Sequence, residues 1–267
     1  MRLAIVGWRG MVGNVLIQRM LEEKDYEHFE IDLFSTSQAG EMSPEIFNRT
    51  YKLKDAFDVN ELAQADIILT CQGGDYSKQV YPQLRKQKWD GYWVDASSAL
   101  RMKPESTLIL DPVNQSVIEA ALNDGKKDFI GANCTVSLLL MAIGGLLEKD
   151  LVEWVSTMTY QAISGAGAKQ MRELIKQWEH LAKSSHPELL QNEVSILEIE
   201  NKIQQAYAHK EFPQQDIGAP LGGNLLPWID SEVDNGQSRE EWKAQVEANK
   251  ILGRTSENEV AIDGTCV

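Results

Sequence analysis

The chain has 267 residues, 43% of them hydrophobic, with a net charge of −14 and a pI near 4.8. That length fits one large domain or two ordinary ones with real cores. The acidic balance argues against nucleic acid or an anionic membrane as partner, because neither would be attracted. The three cysteines, Cys71, Cys134 and Cys266, show no metal-like spacing. A sparse, odd set fits a reducing compartment rather than a disulfide framework, and no metal is expected. The apolar run Leu3 to Val6 is too short for a secretory signal, and no stretch reaches the length of a membrane span. A soluble, cytoplasmic protein is the expectation.

The first half alternates strand-like and helix-like segments. Leu3 to Val6 reads as a short apolar strand, and Met11 to Glu23 as a helix with Val12, Leu16, Met20 and Leu21 on one side. Strands follow at Glu30 to Phe34, Asp66 to Thr70 and Tyr92 to Ala96, with a helix at Tyr76 to Gln87. Thr107 to Leu110 and Phe129 to Ile130 are later strand candidates. Continuous apolar strands separated by helices imply a parallel sheet covered on both faces. An apolar helix then runs from Cys134 to about Leu147, and a long strand rich in Val, Thr and Tyr from Trp154 to Ile163. A Gly-rich turn at Ser164 to Gly167 precedes a polar helical region, Lys169 to His209, with a break expected near Pro187. Ile217 to Pro227 reads as loop and Asp230 to Gly236 as a solvated acidic turn. Ser238, with Glu241 three residues on, is a capping signature for another helix. The composition shifts near residue 133. The expected fold class is α/β, with domains at 1–133 and 134–267.

Five segments carry chemistry. Gly7-Trp8-Arg9-Gly10-Met11-Val12-Gly13 follows the first strand and opens the first helix. It is a variant of the dinucleotide fingerprint, whose glycines allow a tight turn and close approach of a pyrophosphate to a helix N-terminus. The second strand exits as Ser35-Thr36-Ser37-Gln38, with hydroxyls and no acid for a ribose 2′-hydroxyl. Together with Arg9 this suits a 2′-phosphate, so NADP is expected over NAD. Cys71-Gln72-Gly73-Gly74-Asp75 and Asp95-Ala96-Ser97-Ser98-Ala99-Leu100-Arg101 also leave strand ends, where ligands bind in such sheets. Gln72 and Gly73 can face a cofactor there. Arg101 is either an ordinary surface arginine or a ligand for an anionic substrate. Cys134 opens a helix, and the positive end of the peptide dipoles favours a thiolate. Position alone leaves it open between a nucleophile and a small packed residue.

These segments, with Leu100-Arg101-Met102-Lys103, Asp111-Pro112-Val113-Asn114-Gln115, Asn133-Cys134-Thr135-Val136-Ser137, Thr159-Tyr160-Gln161-Ala162, Asp234 to Lys243 and Asn249-Lys250-Ile251-Leu252, resemble the aspartate-β-semialdehyde dehydrogenases of Gram-negative bacteria. The resemblance runs over essentially the whole chain. It implies a Rossmann-like NADP-binding domain followed by an α+β catalytic and dimerisation domain. It further implies interconversion of aspartyl-4-phosphate and aspartate-4-semialdehyde with NADPH and inorganic phosphate, on the route to lysine, methionine and threonine. Cys134 matches the nucleophile that forms an acyl thioester, with the Cys134 N–H and Asn133 beside the oxyanion. Gln161 matches a substrate-orienting residue, Glu247 a substrate-binding acid for the amino group, and Arg101 with Lys250 a phosphate-binding pair. Gly7, Arg9, Gly10, Met11, Val12, Gly13, Thr36, Ser37, Gln72, Ser164, Gly165, Ala166, Gly167 and Ala168 match cofactor contacts. A homodimer is implied as well.

One departure stands out. The family's general base is a histidine in an Arg-Cys-His-Ser-Gln motif, with a substrate-binding arginine just upstream, and neither occurs here. His28, His180, His186 and His209 do not match it. The expectation is a chain incomplete at its C-terminus and inactive, or nearly so, by itself. The alternatives are a non-catalytic NADP-binding or dimerisation module of the same fold, or a related acyl-phosphate reductase acting on N-acetylglutamyl phosphate or a phosphoglycerate.

Overall fold

A computed structural model describes all of residues 1–267. Its centre is a seven-stranded sheet of β1 (Arg2–Val6), β2 (Glu30–Ser35), β3 (Lys54–Asp55), β4 (Ile67–Thr70), β5 (Tyr92–Asp95), β6 (Thr107–Ile109) and β7 (Asp128–Gly131), in the order β3-β2-β1-β4-β5-β7-β6. Every pairing is parallel. The inner strands are unbroken apolar runs because both faces are covered. Ala4, Ile5, Val6, Leu33, Ile68 and Ile130 are all fully buried. Helices α1 (Met11–Glu23), α2 (Val59–Leu62), α3 (Gly74–Lys86) and α4 (Gln115–Asn123) connect the strands. The chain leaves β1 toward β2 on one side and β4 lies on the other, so the order reverses at β1. Such a switch point opens a crevice at the carboxyl edge of the sheet.

Helix α5 (Cys134–Glu148) follows β7 and buries Val136, Leu140, Gly144 and Leu147. Its core partners include Ala248 and Ile251 of α8 (Arg239–Ile251), as well as Val260 and Ile262. Two compact units result, one of residues 1–157 with 239–264 and one of residues 158–238 with 265–267. The segment carrying α8 therefore packs with the sheet, although it lies far downstream. β8 (Trp154–Thr159) pairs with β9 (Ala261–Cys266) in a separate two-stranded sheet.

The second unit holds α6 (Ala168–Leu189) and α7 (Ile196–Tyr207), packed around Leu181, Ala206 and Phe212. Two side chains of α6, one turn apart, hold the loop that follows. Glu173 accepts the N–H groups of Asp216 and Ile217. Gln177, fully buried, accepts from Leu221 and Gly222 and donates to the carbonyls of Pro213 and Ala219. Four bonds saturate that carboxamide, which stands in for the regular backbone pairing that the loop lacks.

One strand differs from the sequence expectation. β8 ends at Thr159 rather than Ile163, because the chain tightens into a 3₁₀ turn over Ile163–Ala166. The helical region breaks near Pro187 as expected, after Leu189, and the proline sits inside the last turn of α6. A proline that close to a helix end leaves few carbonyls without a partner N–H. No helix is long and apolar enough to cross a membrane, and no group of three or more His, Cys, Asp or Glu side chains is arranged to hold a metal.

Candidate active site

The first cleft forms where the loops after β1, β2 and β4 meet. Gly7, Trp8, Arg9, Gly10, Phe34, Ser35, Thr36, Cys71 and Gln72 line a cavity of about 290 Å³. Gly7 has φ +79°, and a Cβ there would lie 2.5 Å from the Gln72 nitrogen. A Cβ on Gly13 would lie 2.2 Å from the Gly7 carbonyl oxygen. These two glycines let the turn pack against its own helix and against the loop after β4. Trp8, buried, donates its indole N–H to the Phe34 carbonyl at 3.2 Å and anchors the loop to β2. Gly10 caps α1 with no side-chain acceptor, so the first-turn N–H groups stay available to a ligand.

Arg9 reaches across this cleft to the end of β2. Its Nη2 lies 2.9 Å from Ser37 Oγ and 3.4 Å from Ser35 Oγ, and its Nη1 donates to Gln38 Oε1. The donor set is a guanidinium with hydroxyls and no carboxylate. That chemistry suits the 2′-phosphate of NADP and offers no acceptor pair for a bare ribose diol. Met11 and Val12 are exposed at the start of α1, Thr36 is half-buried, and Ser37 and Gln72 are exposed. Burial, with the charge of Asp95 added, pushes the Cys71 thiol up to about 11. Cys71 is therefore a protonated wall residue and not a second nucleophile.

The second constellation surrounds the start of α5. Asn133 is its N-cap. The Asn133 carboxamide oxygen accepts from the N–H groups of Thr135 and Val136 at 2.9 and 3.1 Å. Cys134 is the first helical residue, and it is exposed. Around this turn the protein builds a buried polar shell, mostly from α8. Asn133 Nδ2 donates to Glu240 Oε1 at 2.8 Å, and Lys243 donates to the other Glu240 oxygen at 2.9 Å. The Asn133 backbone N–H donates to Glu247 at 2.9 Å, and Arg101 Nη1 donates to the same carboxylate at 3.2 Å. Arg101 is fixed further by bonds to the carbonyls of Gly131 and Ala96.

This geometry brings Arg101, Asn133, Cys134 and Glu247 together. Glu247, only 1% exposed, accepts from Arg101 and from the Asn133 N–H, and Glu240 is likewise engaged at both oxygens, by Asn133 and Lys243. Lys250 donates to the carbonyls of Arg101 and Lys103 at 2.6 and 2.7 Å, so its ammonium fastens that segment. Burial, helped by Lys126, lowers the Lys250 pKa from the ordinary lysine value. Glu240 and Lys243 are the acid and the cation beside the thiol's helix start, and sequence reasoning passed over them. The Asn133 carboxamide serves the cap and Glu240 first. The other expected residues lie in the second unit. Gln161 is half-buried just past β8, and its N–H donates to the Val267 carbonyl. Ser164, Gly165 and Ala166 form the 3₁₀ turn, and Gly167, with φ +108°, leads into α6 at Ala168 without a side-chain cap.

Two family models match the chain. Residues 2–121 match "Semialdehyde dehydrogenase, NAD binding domain", and residues 143–267 match "Semialdehyde dehydrogenase, dimerisation domain". The aspartate semialdehyde dehydrogenase of Francisella tularensis is 45% identical, with a TM-score of 0.92, over 100% of this chain and 71% of that one. The chain belongs to the aspartate-semialdehyde dehydrogenase family. Two more distant structures share the fold. Aspartate semialdehyde dehydrogenase II of Vibrio cholerae, complexed with ASA, is 22% identical with a TM-score of 0.77, over 99% of this chain and 69% of that one. The Candida albicans enzyme, with NADP, is 18% identical with a TM-score of 0.56, over 99% and 66%. The nucleotide-binding match covers the cleft lined by Arg9, and Cys134 lies in the stretch between the two matches.

Proposed function

We propose that this chain is an NADP-dependent aspartate-semialdehyde dehydrogenase, interconverting aspartyl-4-phosphate and aspartate-4-semialdehyde by way of a thioester on Cys134. The observation that carries this reading is the exposed Cys134 thiol on the first turn of α5, beside a buried shell containing Arg101, Glu240 and Lys243. In the reductive direction the Cys134 thiolate attacks the acyl carbon, the carbon–oxygen bond to phosphate breaks, and phosphate leaves. The Cys134 N–H, at the open end of the helix, faces the oxyanion that develops, with Asn133 holding the turn in place. Arg101 offers its two remaining N–H groups to the phosphate, with Lys243 as a point charge nearby. Gln161 orients the substrate.

The cofactor reading rests on the Arg9, Ser35, Ser37 and Gln38 cluster. Gly7, Gly10, Met11, Val12, Gly13, Thr36 and Gln72 complete that cleft; Ser164, Gly165, Ala166, Gly167 and Ala168 are further cofactor contacts that the family resemblance implies. NADPH, when bound, supplies the hydride that reduces the thioester to the aldehyde. The functional division follows the sequence, with cofactor binding in 1–133 and catalysis and dimerisation in 134–267. Leu138 and Met141 of α5, and Trp154 and Met158 of β8, are exposed, an apolar surface that a homodimer would cover.

Intact-mass spectrometry after mixing with aspartyl-4-phosphate tests the reading. An aspartyl increment is expected on the wild-type chain and none on Cys134→Ala. An increment that persists in Cys134→Ala would overturn the assignment of the nucleophile.

A further inference from the structure

We infer that Glu247 is a positioning residue, whose buried carboxylate braces the Arg101 guanidinium against the backbone of the Cys134 turn. The inference rests on the reading of Arg101 as the phosphate ligand and deepens it. One Glu247 oxygen accepts from Arg101 Nη1 and the other from the Asn133 N–H. The Arg101 and Glu247 side chains are only 9% and 2% exposed. Of the five N–H donors of a guanidinium, three are fixed by Gly131, Ala96 and Glu247, which leaves two in a set direction. The Gly131 and Ala96 bonds hold Arg101 to strand ends. The Glu247 bond differs, because the same carboxylate also holds the residue that precedes the nucleophile. One rigid group thus sets the spacing between the phosphate subsite and the thiol.

A plain neutralising role makes the opposite prediction. A carboxylate that merely offsets the arginine charge weakens anion binding, so its removal would tighten phosphate. A brace behaves otherwise. In Glu247→Gln the amide oxygen can serve one of the two donors, while the amide nitrogen meets the other donor and repels it. Glu247→Asp keeps the charge, but it is one methylene shorter and cannot span both.

The test measures the rate of Cys134 alkylation by iodoacetamide on the intact protein against the concentration of inorganic phosphate. It requires no turnover. Wild type should be protected, and Arg101→Met should lose that protection. The half-protecting phosphate concentration should rise at least fivefold in Glu247→Gln and in Glu247→Asp. Adding Glu247→Gln to Arg101→Met should change protection no further. Half-protection at or below the wild-type concentration in the Glu247 variants would overturn the brace, and Glu247→Asp decides if Glu247→Gln does not fold. Undiminished protection in Arg101→Met is a separate outcome, which removes the phosphate reading and the inference with it.

Discussion

The Asn133 carboxamide works in two directions, capping the helix that begins at Cys134 through its oxygen and donating to Glu240 at 2.8 Å through its nitrogen. Aspartate and serine cap helices about as well as asparagine. At this position they should not be equivalent. Asn133→Asp sets a second carboxylate against Glu240, whereas Asn133→Ser only loses the bond. Denaturant unfolding should place Asn133→Ser about 1 kcal/mol below wild type, with Asn133→Asp clearly lower. Equal midpoints for the two variants would mean that a second carboxylate beside Glu240 brings no repulsion.

Gly7 and Gly10 belong to one motif but should respond differently to alanine. At Gly7 a Cβ meets the Gln72 backbone at 2.5 Å and the φ is +79°; at Gly10 the nearest atom is 3.4 Å away. Gly7→Ala should destabilise by about 3 kcal/mol, and Gly10→Ala should leave the thermal midpoint nearly unchanged. Calorimetry on both variants checks this.

Arg9 should decide between the two nicotinamide cofactors. Loss of a charge-assisted contact with a phosphate costs roughly ten- to hundredfold in affinity. Titration of Arg9→Ala should show that loss for NADP and little change for NAD. A uniform loss for both would place Arg9 at the pyrophosphate instead.

The three cysteines should separate by pH. Cys134 is exposed, Cys266 is buried and Cys71 is half-buried. At pH 8 iodoacetamide should label Cys134 in the folded protein and spare Cys71, whose thiol is pushed up to about 11 from 9.0. The sign for stability follows from linkage. Above pH 9 the unfolded chain sheds this proton first, so the contribution of Cys71 is complete below 9 and is lost as the pH rises toward 11. Cys71→Ala should flatten that alkaline decline.

The parallel sheet was legible because strands buried on both faces leave continuous apolar runs, such as Ala4 to Val6 and Ile67 to Leu69. The place of Cys134 at a helix start was legible from a strand, a small-residue turn and an apolar helix in order, while its part as nucleophile came only from the family resemblance. The two-residue strand β3 left no pattern, since an edge strand that short needs no run of its own. The acid and cation of α8 were legible only as a choice. Helix α8 carries Glu-x-x-Lys twice, at Glu240 with Lys243 and at Glu247 with Lys250, seven residues apart on one face. Spacing cannot say what each copy touches. The packing of α8 on α5 puts Glu240 with Lys243 at the Asn133 side chain, Glu247 between the Asn133 N–H and Arg101, and Lys250 on the carbonyls of Arg101 and Lys103.

Helix α8 also sets a timetable. Asn133 bonds to residues 107 and 114 positions downstream, and Arg101 to one 146 positions downstream. At roughly 5–20 residues per second on the ribosome, Cys134 is made several seconds before the helix that completes its surroundings. The sheet has by then received its last strand, so a nascent chain can carry a finished cofactor cleft beside a nucleophile that is still unbraced. A chain stalled before α8 therefore carries the cysteine without the carboxylates that hold Asn133 and Arg101 in place.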